Sequence, residues 1–120
     1  MRYNKKKLTI EKIAITKIAN RYGTPSYCYS FSKLKDNINF FKKSFKSFSP
    51  LICFAVKSNP NLNLIREIRK LGCGADVVSI GELMTAIKAG ISPRKIVFSG
   101  VGKTSQEIKY AINKKVWIRC

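Results

Sequence analysis

The chain has no histidine at all and only 6 acidic residues in 120. Its cysteines, Cys28, Cys53, Cys73 and Cys120, are widely spaced and form no Cys-x-x-Cys pair. Without histidine they leave no set of ligands with zinc spacing, so no metal is expected. They read instead as buried or incidental free thiols in a reducing cytosol, and the expected location is cytoplasmic. No Gly-x-Gly-x-x-Gly occurs, which removes the dinucleotide-binding fingerprint. No apolar run approaches the length of a membrane span, and Glu11, Lys12 and Lys17 interrupt any stretch that could form the core of a signal peptide.

What is present is basic. Lys+Arg number 24, for a formal net charge of +18. Such an excess attracts polyanions whatever the fold. The basic residues, however, are scattered through every segment between apolar positions, and no basic-aromatic recognition motif accompanies them. They read as solvated helix faces, and no specific nucleic-acid partner is expected. A hydrophobic share of 45% and a charged share of 25% belong to an ordinary globular chain with room for one small core.

The N-terminal region, 1–25, reads as a loose basic lead-in over Met1 to Thr9 and then a helix. Ile15, Ile18, Ala19 and Tyr22 follow the spacing of one helix face, with Gly23 placed to end it. In region 26–49, Ser26 to Ser30 is a strand candidate, rich in aromatic residues. An amphipathic helix over Ser32 to Ser47 follows, with Leu34, Ile38, Phe41, Phe45 and Phe48 on one stripe.

Region 50–120 has a repeat. Leu51 to Val56 is an unbroken apolar run, the pattern of a strand covered on both faces. Asn59 and Pro60 suit the start of a helix with Leu64, Ile65, Ile68 and Leu71 inward. Ala75 to Val78 reads as the next strand. Ser79 to Glu82 matches a capping box, opening a helix through Leu83, Met84 and Ile87 to Gly90. Lys95 to Ser99 is a third strand, Thr104 to Glu107 a second capping box before a helix with Ile108, Ala111 and Ile112 inward, and Val116 to Ile118 a fourth strand. Strands recur at a nearly constant interval with a helix between each pair. Right-handed crossovers of that kind build a parallel α/β sheet or a barrel, and the pattern alone does not choose between them.

Two motifs carry candidate chemistry. Gly100-Val101-Gly102-Lys103-Thr104 looks like the end of a phosphate-binding loop, but Val97 stands where the first glycine of that motif belongs, and a turn into a helix capped by Thr104 accounts for the residues. Lys57 follows a strand directly, at the end of the sheet where ligand sites form. Between an apolar strand and a capped helix it is expected to be partly desolvated, which favours the free amine that reacts with carbonyl groups.

Phe54-Ala55-Val56-Lys57-Ser58-Asn59, followed by Leu64-Ile65, Ile68 and Gly72, resembles the pyridoxal-phosphate attachment site of the alanine-racemase-fold decarboxylases that act on ornithine, arginine and meso-diaminopimelate. Tyr22-Gly23-Thr24-Pro25 with Tyr27 to Ser30, Gly74 to Ser79 with Gly81-Glu82-Leu83, and Ile96 to Thr104 follow in family order, and the likeness is greatest to the diaminopimelate branch. The resemblance implies the opening part of a pyridoxal-phosphate-binding (β/α)8 barrel, incomplete in this chain, with Ser26 to Ser30 joining a second, β-rich domain. It implies that Lys57 binds pyridoxal 5'-phosphate covalently, that Ala55 lies close to the cofactor, and that Asp76 and Glu82 line the same pocket. For the parent protein it implies decarboxylation of a small amino-acid substrate, meso-diaminopimelate to lysine, by a homodimer. Alternatives are the ornithine and arginine enzymes of the same fold, or a non-catalytic module that binds pyridoxal phosphate or nucleic acid. The chain is expected to cover roughly the first third of such a protein, as a truncated or frameshifted gene would give, and to be inactive alone. The family's later histidine, glycine-rich phosphate loop, pyridine-nitrogen acid, substrate-carboxylate arginine and catalytic cysteine have no counterpart in it.

Overall fold

A computed structural model describes residues 2–4 and 7–119; the thiol of Cys120 lies outside the described residues. The chain divides into two compact units, Met1–Ser44 and Phe45–Cys120.

The first unit opens with strands where a loose lead-in was expected. β1 (Arg2–Asn4), β2 (Lys7–Ile10) and β3 (Ile13–Ala14) form an antiparallel sheet in that order. The pairing Tyr3↔Leu8 and Ile10↔Ile13 brings together apolar residues too few to stand out from the surrounding lysines in sequence. Glu11 takes a positive φ of 55° in the turn after β2. Helix α1 (Ile15–Tyr22) ends as expected at Gly23, whose φ of 79° lets its N–H reach the Ala19 carbonyl at 2.8 Å.

Ser26 to Ser30, expected as a strand, forms none. Aromatic residues favour a pleated surface only where a neighbouring strand takes up the backbone hydrogen bonds, and no partner strand is present among the described residues. Helix α2 (Phe31–Ser44) is shorter than expected at its C-terminal end, where residues 45–48 form a turn closed by Phe48 N–H on Phe45 O at 3.0 Å. Its first turn is held from a distance: one carboxylate oxygen of Glu11 accepts from Ser32 N–H and the Ser30 hydroxyl, both at 2.9 Å. Of the expected stripe, Leu34 and Ile38 are half-buried, whereas Phe41, Phe45 and Phe48 are exposed.

The second unit is the strand–helix repeat. β4 (Cys53–Ala55), α3 (Leu62–Lys70), β5 (Gly74–Val77), α4 (Ile80–Lys88), β6 (Ile96–Phe98), α5 (Ser105–Asn113) and β7 (Trp117–Ile118) follow one another. The sheet is parallel with order β4-β5-β6-β7. Each crossover therefore steps in the same direction with no reversal, which is the winding of a barrel and not of a doubly wound sheet.

Register sorts the strand residues onto two faces. Phe54↔Ala75↔Ile96 and Val77↔Phe98↔Ile118 point one way, and Cys53↔Gly74 and Ala55↔Asp76↔Val97↔Trp117 the other. On the first face Ala75, Val77, Ile96 and Phe98 are fully buried and pack with Val56, Ile65, Leu83, Ala86 and Ala111. The second face is half-open, as the interior wall of a barrel would be before closure.

Local signals were placed well but not perfectly. The cap of α3 is Asn61, whose side-chain oxygen accepts from Asn63 and Leu64 N–H, while the expected cap Asn59 accepts from Asn61 N–H at 3.1 Å and shapes the lead-in. Ile112, expected inward, is 60% exposed, because the narrow buried stripe of α5 is filled by Ala111. No helix among the described residues is long and apolar enough to cross a membrane.

Gly100 is buried where the chain leaving β6 crosses the end of β5; a Cβ there would overlap the backbone of Val78, its carbonyl oxygen above all. Gly100→Ala should lower stability to urea by about 1–3 kcal/mol, the range for forced overpacking. Asn61→Ala should lower it by about 1 kcal/mol through loss of the cap. Wild-type midpoints for both variants would contradict this packing.

Candidate active site

The sheet's C-terminal edge collects the candidate residues. β4 ends at Ala55, and the chain turns at once into a single 3-10 turn, Val56–Ser58. The turn is fixed by the Ser58 hydroxyl on Ala55 O at 2.7 Å and by Asn59 N–H on Val56 O at 3.0 Å. Val56 is sent into the core and Lys57 outward. Lys57 is thus at the strand's end as expected, but it is exposed, and the partial desolvation expected of it is not supplied by the described residues.

Ala55 and Asp76 are direct neighbours across the half-open face. Ala55 presents only a methyl group there, so it leaves room beside the carboxylate. Asp76 is half-buried and accepts a 2.5 Å hydrogen bond from the Ser99 hydroxyl. On the same face, burial first and the Asp76 charge second push the Cys53 thiol above its ordinary range, so Cys53 stays protonated at neutral pH and is a poor nucleophile.

Glu82 stands in the first turn of α4. Only half of the expected capping box forms: Ser79 accepts from Glu82 N–H at 3.3 Å, but the Glu82 carboxylate reaches past it to Val78 N–H at 3.0 Å. The glutamate therefore braces the end of β5, with one oxygen engaged. The second box is complete, with Thr104 accepting from Glu107 N–H and Glu107 accepting from Thr104 N–H at 2.8 Å. The other Glu107 oxygen accepts from Ile80 N–H at 3.2 Å, tying the loop before α5 to the loop before α4. Lys103 donates to Gly100 O and, at 2.7 Å, to Arg119 O, so the loop resembling a phosphate site is a self-satisfied turn.

The structure thus brings Ala55 and Asp76 side by side and places Lys57 and Glu82 at the same end of the sheet. Sequence reasoning missed the Ser99–Asp76 hydrogen bond and the long reach of Glu107. Ser99 could have been suspected, since period-two alternation puts it on the face of Val97. The Ile80–Glu107 bond carries no sequence signal.

The hydrogen bonds from Thr104 hold the Glu107 carboxyl below the ordinary range. A lowered folded value gives stabilisation that is present above the ordinary glutamate range and lost as pH falls through the folded value. Between neutral pH and about pH 3, Glu107→Gln should flatten the decline of the urea midpoint seen in the wild type. Parallel declines would remove Glu107 from this role.

A singly wound parallel sheet with a lysine at the end of one strand and an acidic residue on the facing row of the next defines a barrel-type binding domain. The family of the pyridoxal-dependent decarboxylase, pyridoxal binding domain, matches residues 31–119, and the chain belongs to it. It is 45% identical over 109 residues to the diaminopimelate decarboxylase of Vibrio cholerae, covering 91% of this chain and 26% of that protein. To the enzyme of the same name from Helicobacter pylori it is 50% identical over 95 residues, covering 79% and 24%. Among solved structures, diaminopimelate decarboxylase from M. jannaschii with L-lysine superposes with a TM-score of 0.91 at 35% identity, over 95% of this chain and 28% of that one. The chain thus spans about a quarter of the length of these relatives, less than the third expected.

Proposed function

We propose that this chain supplies the lysine-bearing part of a cytoplasmic, pyridoxal-phosphate-dependent decarboxylase that converts meso-2,6-diaminopimelate to L-lysine, as a homodimer in its complete form. The observation that carries the reading is the placement of Lys57 at the end of β4, beside the Ala55–Asp76 row on the half-open face. The relatives' shared name supports the substrate. Free thiols at Cys28 and Cys53 suit a reducing compartment. Dispersed basic residues support the absence of a nucleic-acid role.

The residues present fit the cofactor. Lys57 offers an accessible amine with no hydrogen-bond or ion-pair partner among the described residues, and Ala55 leaves space for a flat ring. Asp76 offers a carboxylate without a cation partner. When bound, pyridoxal phosphate supplies the electron sink for the carbanion left as carbon dioxide departs. Lys57 holds the cofactor through its amine. Asp76 orients it from the strand face, and Glu82 keeps the end of β5 in place through Val78 N–H while its second oxygen stays available to the pocket.

The test replaces the matching segment of the Helicobacter pylori relative with this chain. The chimaera should release carbon dioxide from meso-diaminopimelate, Lys57→Ala should reduce release to background, and borohydride should fix the cofactor to the Lys57 peptide. The 120 residues alone should release none. Label on a different lysine, or turnover that survives Lys57→Ala, would remove the central assignment.

A further inference from the structure

Resting on that reading of Lys57, we propose that Ser99 is a positioning residue for the cofactor site: its hydroxyl holds Asp76 by one oxygen, Oδ1, so that the other is presented to pyridoxal phosphate.

Asp76 is the acidic residue that lies within a strand among the described residues. Among the described residues the one ion pair is Lys70–Glu67 on α3, although Lys+Arg number 24. Asp76, half-buried on the sheet's open face, is left without a cation. A carboxylate partly withdrawn from water is costly unless it is hydrogen-bonded, and a hydroxyl can supply that bond. The Ser99 hydroxyl supplies it, donating to Asp76 Oδ1. No second side-chain partner for Asp76 is present among the described residues, which leaves Oδ2 for a ligand.

Both ends of the bond stand on rigid backbone. Asp76 lies within β5, paired to Ala55 on one side and Val97 on the other. Ser99 directly follows β6, its N–H bonded to Val77 O at 2.9 Å. The next residue, Gly100, is packed against the backbone of Val78 with no space for a side chain. The backbone that carries the hydroxyl is therefore held beside the strand that carries the carboxylate. A freely rotating carboxylate would have to be ordered each time the cofactor bound, and a fixed one is ordered in advance.

If the bond served packing alone, removing it would change stability and leave reactivity at Lys57 untouched. The experiment uses the chimaera with the Helicobacter pylori relative, pyridoxal phosphate and borohydride, with the rate of fixation to the Lys57 peptide followed against cofactor concentration and thermal melting recorded in parallel. Ser99→Ala should slow fixation about tenfold, the scale of one charge-assisted hydrogen bond. Ser99→Thr, which keeps the hydroxyl, should stay within about twofold of wild type. Asp76→Asn should slow fixation at least as much as Ser99→Ala, and the double variant should be no slower than Asp76→Asn, since Ser99 acts only through Asp76. The inference is overturned if Ser99→Ala leaves the rate unchanged, if it slows the Asp76→Asn chain by the same factor as the wild type, or if Ser99→Thr fails to rescue and the loss follows the melting temperature. In each of those outcomes label on Lys57 leaves the functional reading standing. Label on another lysine overturns that reading and this one together.

Discussion

The site depends on strand register. In a parallel sheet a slip of one residue moves every side chain to the opposite face. With Ala55 opposite Asp76 and Asp76 opposite Val97, the acidic residue found in a strand among the described residues lies on the half-open face, while Ala75, Val77, Ile96 and Phe98 fill the core with the helices. The same core therefore fixes the side to which Asp76 and Ala55 point and the edge at which Lys57 leaves the sheet. Hydrophobic burial holds the register, and the register holds the chemistry.

Scarcity of acid sharpens the arrangement. Glu11, Glu82 and Glu107 all accept from backbone N–H groups near the starts of helices, where a negative charge also suits the helix dipole. They act as local fasteners for loops in a strongly basic chain. Asp76 differs in place, because it lies within a strand on the sheet's open face instead of at a helix start, and takes its hydrogen bond from the Ser99 hydroxyl. Its difference from the other carboxylates marks it as a candidate site residue independently of any family likeness.

Elements whose stability comes from their own sequence were legible in it. The stop at Gly23, the complete box at Thr104 and Glu107, and the repeating strands and helices between Cys53 and Ile118 depend on groups a few residues apart or on hydrophobic period, and they stand as expected. Expectations failed where a distant partner decides. Ser26 to Ser30 has strand composition and no strand beside it. β1 and β2 look like a basic lead-in until they pair. Ser79 and Glu82 match the box motif, yet the Glu82 carboxylate reaches Val78 N–H.

The sequence by itself determined the class of the fold and the place of Lys57, because an apolar run followed by a helix start sets both the strand and its end. Tertiary structure alone decided that the strands wind in one direction, that Asp76 stands next to Ala55 and under Ser99, and that Lys57 is exposed. The pairings among them join residues 20 or more positions apart in sequence. Hydrophobic period states which face is buried, but it does not state which strand lies alongside which, or in what register.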